Sequence, residues 1–455
     1  MGDLASIVKA YDIRGVVPDQ LDEHVAEAVG AAFVQVTGAT RIVTVHDMRT
    51  SSAPLADAFG RGAASQGADV LAAGLGSTDM LYYASGDLDI PGAMVTASHN
   101  PQRYNGIKLC RAGAKPVGIE SGLRDIERLA EGQLTPAPSV GEITEIDLLQ
   151  GYADHLRKLV DISSIRPLKV AVDAGNGMAG HTVPKVFEGL PITLIPLYFE
   201  LDGTFPNHEA NPIDPENLRD LQAAVREHGA DIGLAFDGDA DRCFVVDERG
   251  EIVSPSVLTA LIATRELARE PGATIIHNLI TSRAVPENVS EHGGVPVRTR
   301  VGHSFIKAEM ARTGAIFGGE HSGHFYFRDF WFADSGMLAA LHVLAALGQQ
   351  DGPLSQLLAR YARYSASGEI NSDVADQAGI TAQVRMAYAT RPEVTSDELD
   401  GLTVQAPDWW FNLRPSNTEP LLRLNVEGAD QATMESLRDE VLAMVRGAGR
   451  EGDRT

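Results

Sequence analysis

The chain reads as an α/β protein, with three similar units of mixed sheet flanked by helices and then a smaller C-terminal α+β domain. Three observations predict this. Short apolar runs recur with helical spacing between them, as in Arg41-Ile-Val-Thr-Val-His46, Leu168-Lys-Val-Ala-Val-Asp173 and Asp231-Ile-Gly-Leu-Ala-Phe236. The Pro-rich stretch Gly132-Gln-Leu-Thr-Pro-Ala-Pro-Ser139 reads as a linker after the first unit. Near Ser365 the alternation gives way to strands closed by one amphipathic helix, from about Ala429 to Val445. The expected division is 1–145, 146–250, 251–364 and 365–455.

In chain order, residues 5–14 look like a first strand ending at Arg14-Gly15, and helical spacing follows from about Leu21 to Val36. Strand 41–46 runs into Asp47-Met-Arg49-Thr-Ser-Ser52, whose serines suit a helix cap. A third strand is expected at 68–73. A fourth, Pro91-Gly-Ala-Met-Val95, stops at Ser98-His99-Asn100-Pro101, because Pro101 removes a donor and Asn100 favours a turn. A serine hydroxyl with a histidine beside it thus falls at a strand's carboxyl end, where open α/β sheets bind ligands. Asn105-Gly-Ile-Lys-Leu-Cys110 brings Lys108 close in sequence, and a helix near 119–132 closes the unit.

In the second unit, strand 168–173 is followed by Gly175-Asn-Gly177-Met-Ala-Gly180, with Glu200 further on. This is formally a dinucleotide fingerprint, and equally a plain glycine-rich turn. The third unit, from about Ile252 to Tyr361, holds strands at 273–278 and 296–300, a glycine-rich turn at 318–323 and a helix from about Gly336 to Leu347. From Ser365 to Gly428 only strands are expected, including 408–414 and 421–426, and the polar residues Gly447–Thr455 are expected to fray.

Composition excludes several classes. With 38 basic and 62 acidic residues the net charge is −24, the wrong sign for a nucleic-acid binder. An anionic substrate must then find its cations locally. Two cysteines, Cys110 and Cys243, make neither a disulfide framework nor a zinc knuckle and suit a reducing cytoplasm. No signal peptide or membrane-spanning run is expected. A myristoylation-like start at Met1-Gly2 and an Asn288-Val-Ser290 sequon are short enough to be chance matches.

Four loops carry chemistry. In Asp237-Gly-Asp239-Ala-Asp241-Arg242 the acids alternate, so an extended backbone would aim all three to one side. Converging carboxylates call for a cation, and hard oxygen ligands favour Mg²⁺ or Ca²⁺. Glu248 falls where an EF-hand's last ligand would, but Arg242 replaces the turn glycine and a strand precedes the loop, which favours Mg²⁺. Gly318-Gly319-Glu320-His321-Ser322-Gly323-His324 offers groups suited to sugar hydroxyls and proton transfer. Arg414-Pro-Ser416-Asn417-Thr418-Glu-Pro420, between two strands, is a natural phosphate cradle. Thr299-Arg-Val-Gly302-His303-Ser304-Phe-Ile-Lys307 adds cationic and hydroxyl donors.

In this order, and with Lys9-Ala-Tyr-Asp-Ile-Arg-Gly15 at the start, these motifs resemble the α-D-phosphohexomutase family, and most closely its phosphomannomutase/phosphoglucomutase branch. The resemblance covers essentially the whole chain. It implies four domains around a central cleft, each supplying one loop, and a structural role for the Gly175–Gly180 turn. It implies phosphoryl movement between O1 and O6 of a hexose, through a phosphoserine enzyme and a hexose 1,6-bisphosphate. Ser98 would carry the phosphate, with Asp237, Asp239 and Asp241 holding Mg²⁺ against it. Arg14, His99, Lys108 and Arg242 match positions around the transferred group. Glu320 and Ser322 match positions that grip the sugar, and His303 is expected in the cleft. Arg414, Ser416, Asn417 and Thr418 match those that hold the distal phosphate. His324 is the expected general base, with Lys108 as the alternative. Asn417 points to the mannose/glucose branch, whereas His321 departs from the methionine or glutamine expected there. The implied partners are small hexose phosphates, for a monomer or homodimer without nucleic acid or membrane. Accepting the sugar in two orientations suggests a swing of the last domain about a hinge near 365–370.

Overall fold

The computed structural model describes residues 4–132, 134–416 and 421–447. Four sheets follow one another along these residues. The first is seven-stranded and centres on Arg41–His46, which pairs in parallel with Asp69–Leu75 and Gly92–Val95. The second centres on Leu168–Asp173, parallel to Ile192–Leu197 and Ile232–Phe236. The third centres on Thr274–Asn278, parallel to Val295–Thr299 and Phe317–Gly319. The fourth is wholly antiparallel, from Ser365–Asp373 through Leu421–Gly428, Trp409–Pro415 and Leu402–Ala406 to Thr395–Asp397. Ile252–Val253, counted from sequence in the third unit, pairs with Cys243–Asp247 and so completes the second sheet.

One topological device recurs. In each of the first three sheets one parallel strand turns back into an antiparallel neighbour: Gly92–Val95 into Tyr104–Arg111, Ile232–Phe236 into Cys243–Asp247, and Phe317–Gly319 into Phe325–Phe327. Ser98, Asp237–Arg242 and Glu320–His324 sit in those three connections. In the fourth sheet, Trp409–Pro415 turns into Leu421–Gly428 around Ser416. Each loop leaves a buried strand at its carboxyl end and is returned to the same sheet, so both its ends are held by ladder hydrogen bonds.

A continuous apolar core joins the first three units, running from Met94 and Tyr152 through Val172 and Leu234 to Phe317 and the wholly buried helix Gly336–Gly348. The last domain has a separate core around Val384, Phe411, Leu424 and Val441. Its apolar link to the third unit is small, Trp410 against Leu279 and Ile280.

Three local expectations change. Residues Leu4–Ile7 are helical and the first strand is only Ile13–Val16, because Leu4 and Ile7, three apart, bury one helix face. Ser51 and Ser52 do not cap the helix Ser52–Ser65. Ser52 donates to Asp47 at 2.5 Å and Ser51 accepts from Asn105 at 2.8 Å. The last domain also holds a helix, Gln377–Ala389, which buries Ile380, Val384 and Tyr388 at four-residue spacing behind the Asp376 N-cap. The end of the expected frayed tail, 448–455, lies outside the described residues.

Candidate active site

Ser98 is 4% exposed and adopts a left-handed backbone (φ 50°). For a non-glycine residue that conformation needs outside support. Arg49 supplies it: its Nη2 donates to the carbonyls of Ser98 (2.8 Å) and Asn100 (2.6 Å), and its Nη1 to those of Pro101 and Tyr104, both at 3.1 Å. Asp47 holds Arg49 in turn at 3.3 Å. One buried guanidinium thus binds four carbonyls of the serine turn, a task its planar fork of donors suits.

The hydroxyl of Ser98 donates to Asp237 Oδ2 at 2.9 Å and lies 3.2 Å from His99 Nδ1. Close approach of the two loops depends on Gly238, where a Cβ would stand 2.5 Å from the Ser98 carbonyl oxygen. The acids converge differently from the sequence expectation. Residues 237–242 are not extended; they turn, with Ala240 at φ 59°. The turn still brings ligand oxygens of Asp237, Asp239 and Asp241 within 4.8 Å of one another. Cations divide the load. Arg242 Nε meets Asp237 at 2.8 Å, and Lys108 Nζ bridges Asp239 and Asp241 at 2.7 Å each. Thr78 adds a hydrogen bond to Asp239 at 2.6 Å.

Electrostatics follow from this packing. Burial pushes the Asp237 carboxyl up to about 7 against the pull of Arg242. Burial also opposes ionisation of Asp239, but the Lys108 ammonium more than offsets it and holds that carboxyl low. Burial and then the neighbouring Arg242, which donates to His99 Nδ1, keep the His99 imidazole neutral. Two carboxylate oxygens, Oδ1 of Asp239 and Oδ1 of Asp241, are buried without a hydrogen-bond partner. Unpaired buried anionic oxygens are costly, and a hard divalent cation satisfies them. The donor set therefore fits Mg²⁺. The EF-hand reading fails, since Glu248 points elsewhere and binds Ser355 through its amide and hydroxyl.

The sugar-type loop meets the acidic loop through His324, whose Nδ1 lies 3.2 Å from Asp334 and 3.9 Å from Asp241. Burial alone would depress that imidazole, but Asp241 and Asp334 together raise it. Glu320 is 2% exposed and accepts from Tyr326 (2.7 Å), Gly302 (3.2 Å), Asn278 (3.3 Å) and Ser322 (3.5 Å). His303 packs edge-on against Tyr11 at 4.5 Å and is kept neutral, down near 3, by burial and Lys307. Arg14 joins the serine turn through Asn100 at 2.5 Å.

Arg414 stands apart from this group, paired with Glu369 at 3.4 Å and Asp400 at 3.6 Å. Asp400 also accepts from the Val301 amide at 3.1 Å, tying that edge of the last domain to the His303 loop. The Ser416 amide closes its hairpin on Leu421 at 2.8 Å. Asn417 and Thr418 lie outside the described residues.

Sequence reasoning missed Arg49, Thr78, Tyr326 and Asp334. Only Arg49 left a signal, a charged pair with Asp47 just after a strand. Thr78 acts from a distant segment, and Tyr326 and Asp334 meet their partners through a hairpin pairing that no local motif marks. The Gly175–Gly180 turn is filled by protein: a Cβ at Gly180 would lie 2.3 Å from the Phe199 carbonyl oxygen, and one at Gly177 2.7 Å from that of Gly238. Asn176 spans to Glu200 and Asn207. That packing agrees with a structural turn beneath the acidic loop.

Four family models match, described as phosphoglucomutase/phosphomannomutase alpha/beta/alpha domain I (residues 5–134), domain II (150–250), domain III (254–364) and C-terminal domain (369–444). A phosphomannomutase of Escherichia coli is 43% identical over 451 residues, covering 96% of this chain and 98% of its own. A protein of Xanthomonas campestris named for phosphohexose mutases is 41% identical, covering 96% and 99%. Among solved structures, a phosphoglucomutase/phosphomannomutase family protein of Burkholderia thailandensis matches with a TM-score of 0.89 at 33% identity, over 99% of this chain and 98% of that one.

Proposed function

The chain belongs to the phosphoglucomutase/phosphomannomutase family, and on that footing we propose that it is a phosphomannomutase. As an isomerase it interconverts mannose 6-phosphate and mannose 1-phosphate through phospho-Ser98 and a hexose 1,6-bisphosphate. The observation that carries this is the Ser98 hydroxyl 2.9 Å from Asp237, above two carboxylates with unpaired buried oxygens.

Phosphoryl transfer depends mainly on positioning and charge neutralisation. Mg²⁺ held by Asp237, Asp239, Asp241 and Ser98 would neutralise charge on the transferred group. The chain's own residues do the rest. Arg49 braces the strained turn that carries Ser98 through its backbone carbonyls. Arg14, Lys108 and Arg242 supply positive charge in a molecule that is otherwise acidic. His99, neutral, orients Arg242 rather than adding charge. Glu320 and Ser322 grip sugar hydroxyls, beside His303. Arg414, Ser416, Asn417 and Thr418 hold the phosphate that does not move. As the accepting sugar oxygen bonds to phosphorus, the phosphorus–Oγ bond breaks and Ser98 Oγ keeps its electron pair. The sugar hydroxyl's proton passes to His324. Lys108 Nζ is already taken up between Asp239 and Asp241, at 2.7 Å from each. That favours His324 over Lys108 as the base.

A second reading, action on glucose phosphates as well, is favoured by the Xanthomonas relative's broader name. Coupled assays on mannose 1-phosphate, glucose 1-phosphate and glucosamine 1-phosphate rank the substrates. Mannose is expected first, and an amino-sugar preference overturns the choice of branch. The decisive measurement is intact mass after incubation with hexose 1,6-bisphosphate and Mg²⁺. One phosphate should appear on the wild-type protein and none on Ser98→Ala, which should lose essentially all mutase activity.

A further inference from the structure

We infer that Asp334 is a positioning residue for the reaction, fixing the His324 ring through Nδ1 and so leaving Nε2 as its open nitrogen. This rests on the reading of His324 as the proton acceptor.

The inference starts from register. Ala333–Asp334 is a two-residue strand paired with Phe325–Phe327, and Asp334 lies opposite Tyr326. That places its carboxylate beside the end of the sugar loop. Its Oδ2 is 3.2 Å from His324 Nδ1. A carboxylate can only accept, so Nδ1 carries the hydrogen and the ring is held in one tautomer. Nε2 has no hydrogen-bond partner among the described residues, and the side chain keeps 20% of its surface open. Tyr326, next to the same strand pair, holds Glu320 at 2.7 Å. A single short strand pair therefore sets both the sugar-gripping carboxylate and the imidazole.

The other face of Asp334 has a different partner. Its Oδ1 is 2.7 Å from Lys307 Nζ, and both side chains are 4% exposed. The Lys307 ammonium also lies 4.1 Å from the Tyr82 ring centroid. A buried ammonium needs a buried carboxylate. A purely structural account would thus have Asp334 present only to neutralise Lys307. The two accounts make opposite forecasts for a variant that removes both charges.

The experiment compares Asp334→Asn, His324→Ala, their combination, and Lys307→Met with Asp334→Asn together. Positioning through His324 predicts that Asp334→Asn lowers kcat about 10- to 100-fold with KM within about two-fold, on the scale of residues that orient catalytic groups. In the His324→Ala background the same change should cost almost nothing more. The Lys307→Met/Asp334→Asn protein has no buried charge left unpaired and should fold, yet should stay as slow as Asp334→Asn. Ring ¹⁵N shifts of His324 should show the Nδ1–H form in the wild type and a tautomer mixture in that double variant. Wild-type kcat in the double variant, or an equal loss in both histidine backgrounds, overturns the inference. Unchanged kcat in His324→Ala instead overturns the choice of base, a distinguishable result.

Discussion

Asp79 shows how a residue with no chemistry of its own can hold three domains together. Fully buried, it accepts from Tyr152 at 2.7 Å, from Ser335 at 2.6 Å and from Ser77. Those partners come from all three α/β units. Burial pushes its carboxyl up to about 6, despite the hydroxyls that favour the anion. A carboxyl whose folded value lies above its unfolded one stabilises the fold at low pH. That contribution is lost as pH rises from about 4 through about 6, amounting to ~3 kcal/mol. Asp79→Asn cannot ionise. Its melting temperature relative to wild type should therefore climb across that window, measured by calorimetry at steps of pH. A flat difference would mean that Asp79 ionises as easily folded as unfolded.

At the level of elements, the strand-to-hairpin connection explains how loops from separate sheets are held in close contact. The turn carrying Ser98 and the turn carrying the acids touch backbone to backbone at Gly238. A methyl there has no flexible neighbour to displace, since the obstructing atom is a carbonyl oxygen 2.5 Å away. Gly238→Ala should push the two turns apart by a fraction of an ångström. Activity should fall about 100-fold, the scale for misplacing reacting groups. The four-sheet architecture should survive, checked by circular dichroism and a melting temperature lowered by only a few degrees. Full activity would show that the loops approach less closely than the structure has them.

For the whole molecule, the contrast lies between one shared core and one separate one. The first three units cannot move independently without opening a common apolar interior. The last domain is held mainly by polar contacts. Arg283 donates to the carbonyls of Pro407, Ala406 and Trp409, and Arg298 pairs with Asp397 at 2.8 Å. Its connecting strand carries a register shift between Ala366 and Glu369, with Gly368 at φ 68°. Such contacts exchange with water at little cost, and domain motion is the expected result. Small-angle scattering should therefore show compaction when hexose 1,6-bisphosphate is added, with the radius of gyration falling by about 1 Å on hinge closure. No change would place substrate reorientation inside a static cleft.

Much of the fold is legible in the sequence alone. Apolar runs marked the strands, and Ser98, Asp237, Asp239, Asp241 and Glu320 stood out because each motif is contiguous and chemically unusual. Contacts assembled from far apart in the chain were not legible: Arg49 on the serine turn, Thr78 on Asp239, and Lys108 settled between two acids. Even the alternation of the acids pointed to the right convergence for the wrong reason, since a left-handed turn and not an extended strand brings them together. Local pattern reports which groups a chain carries. Which of them end up within hydrogen-bonding distance depends on how sheets pack, and that is a sum over many weak, long-range contacts that no short stretch encodes.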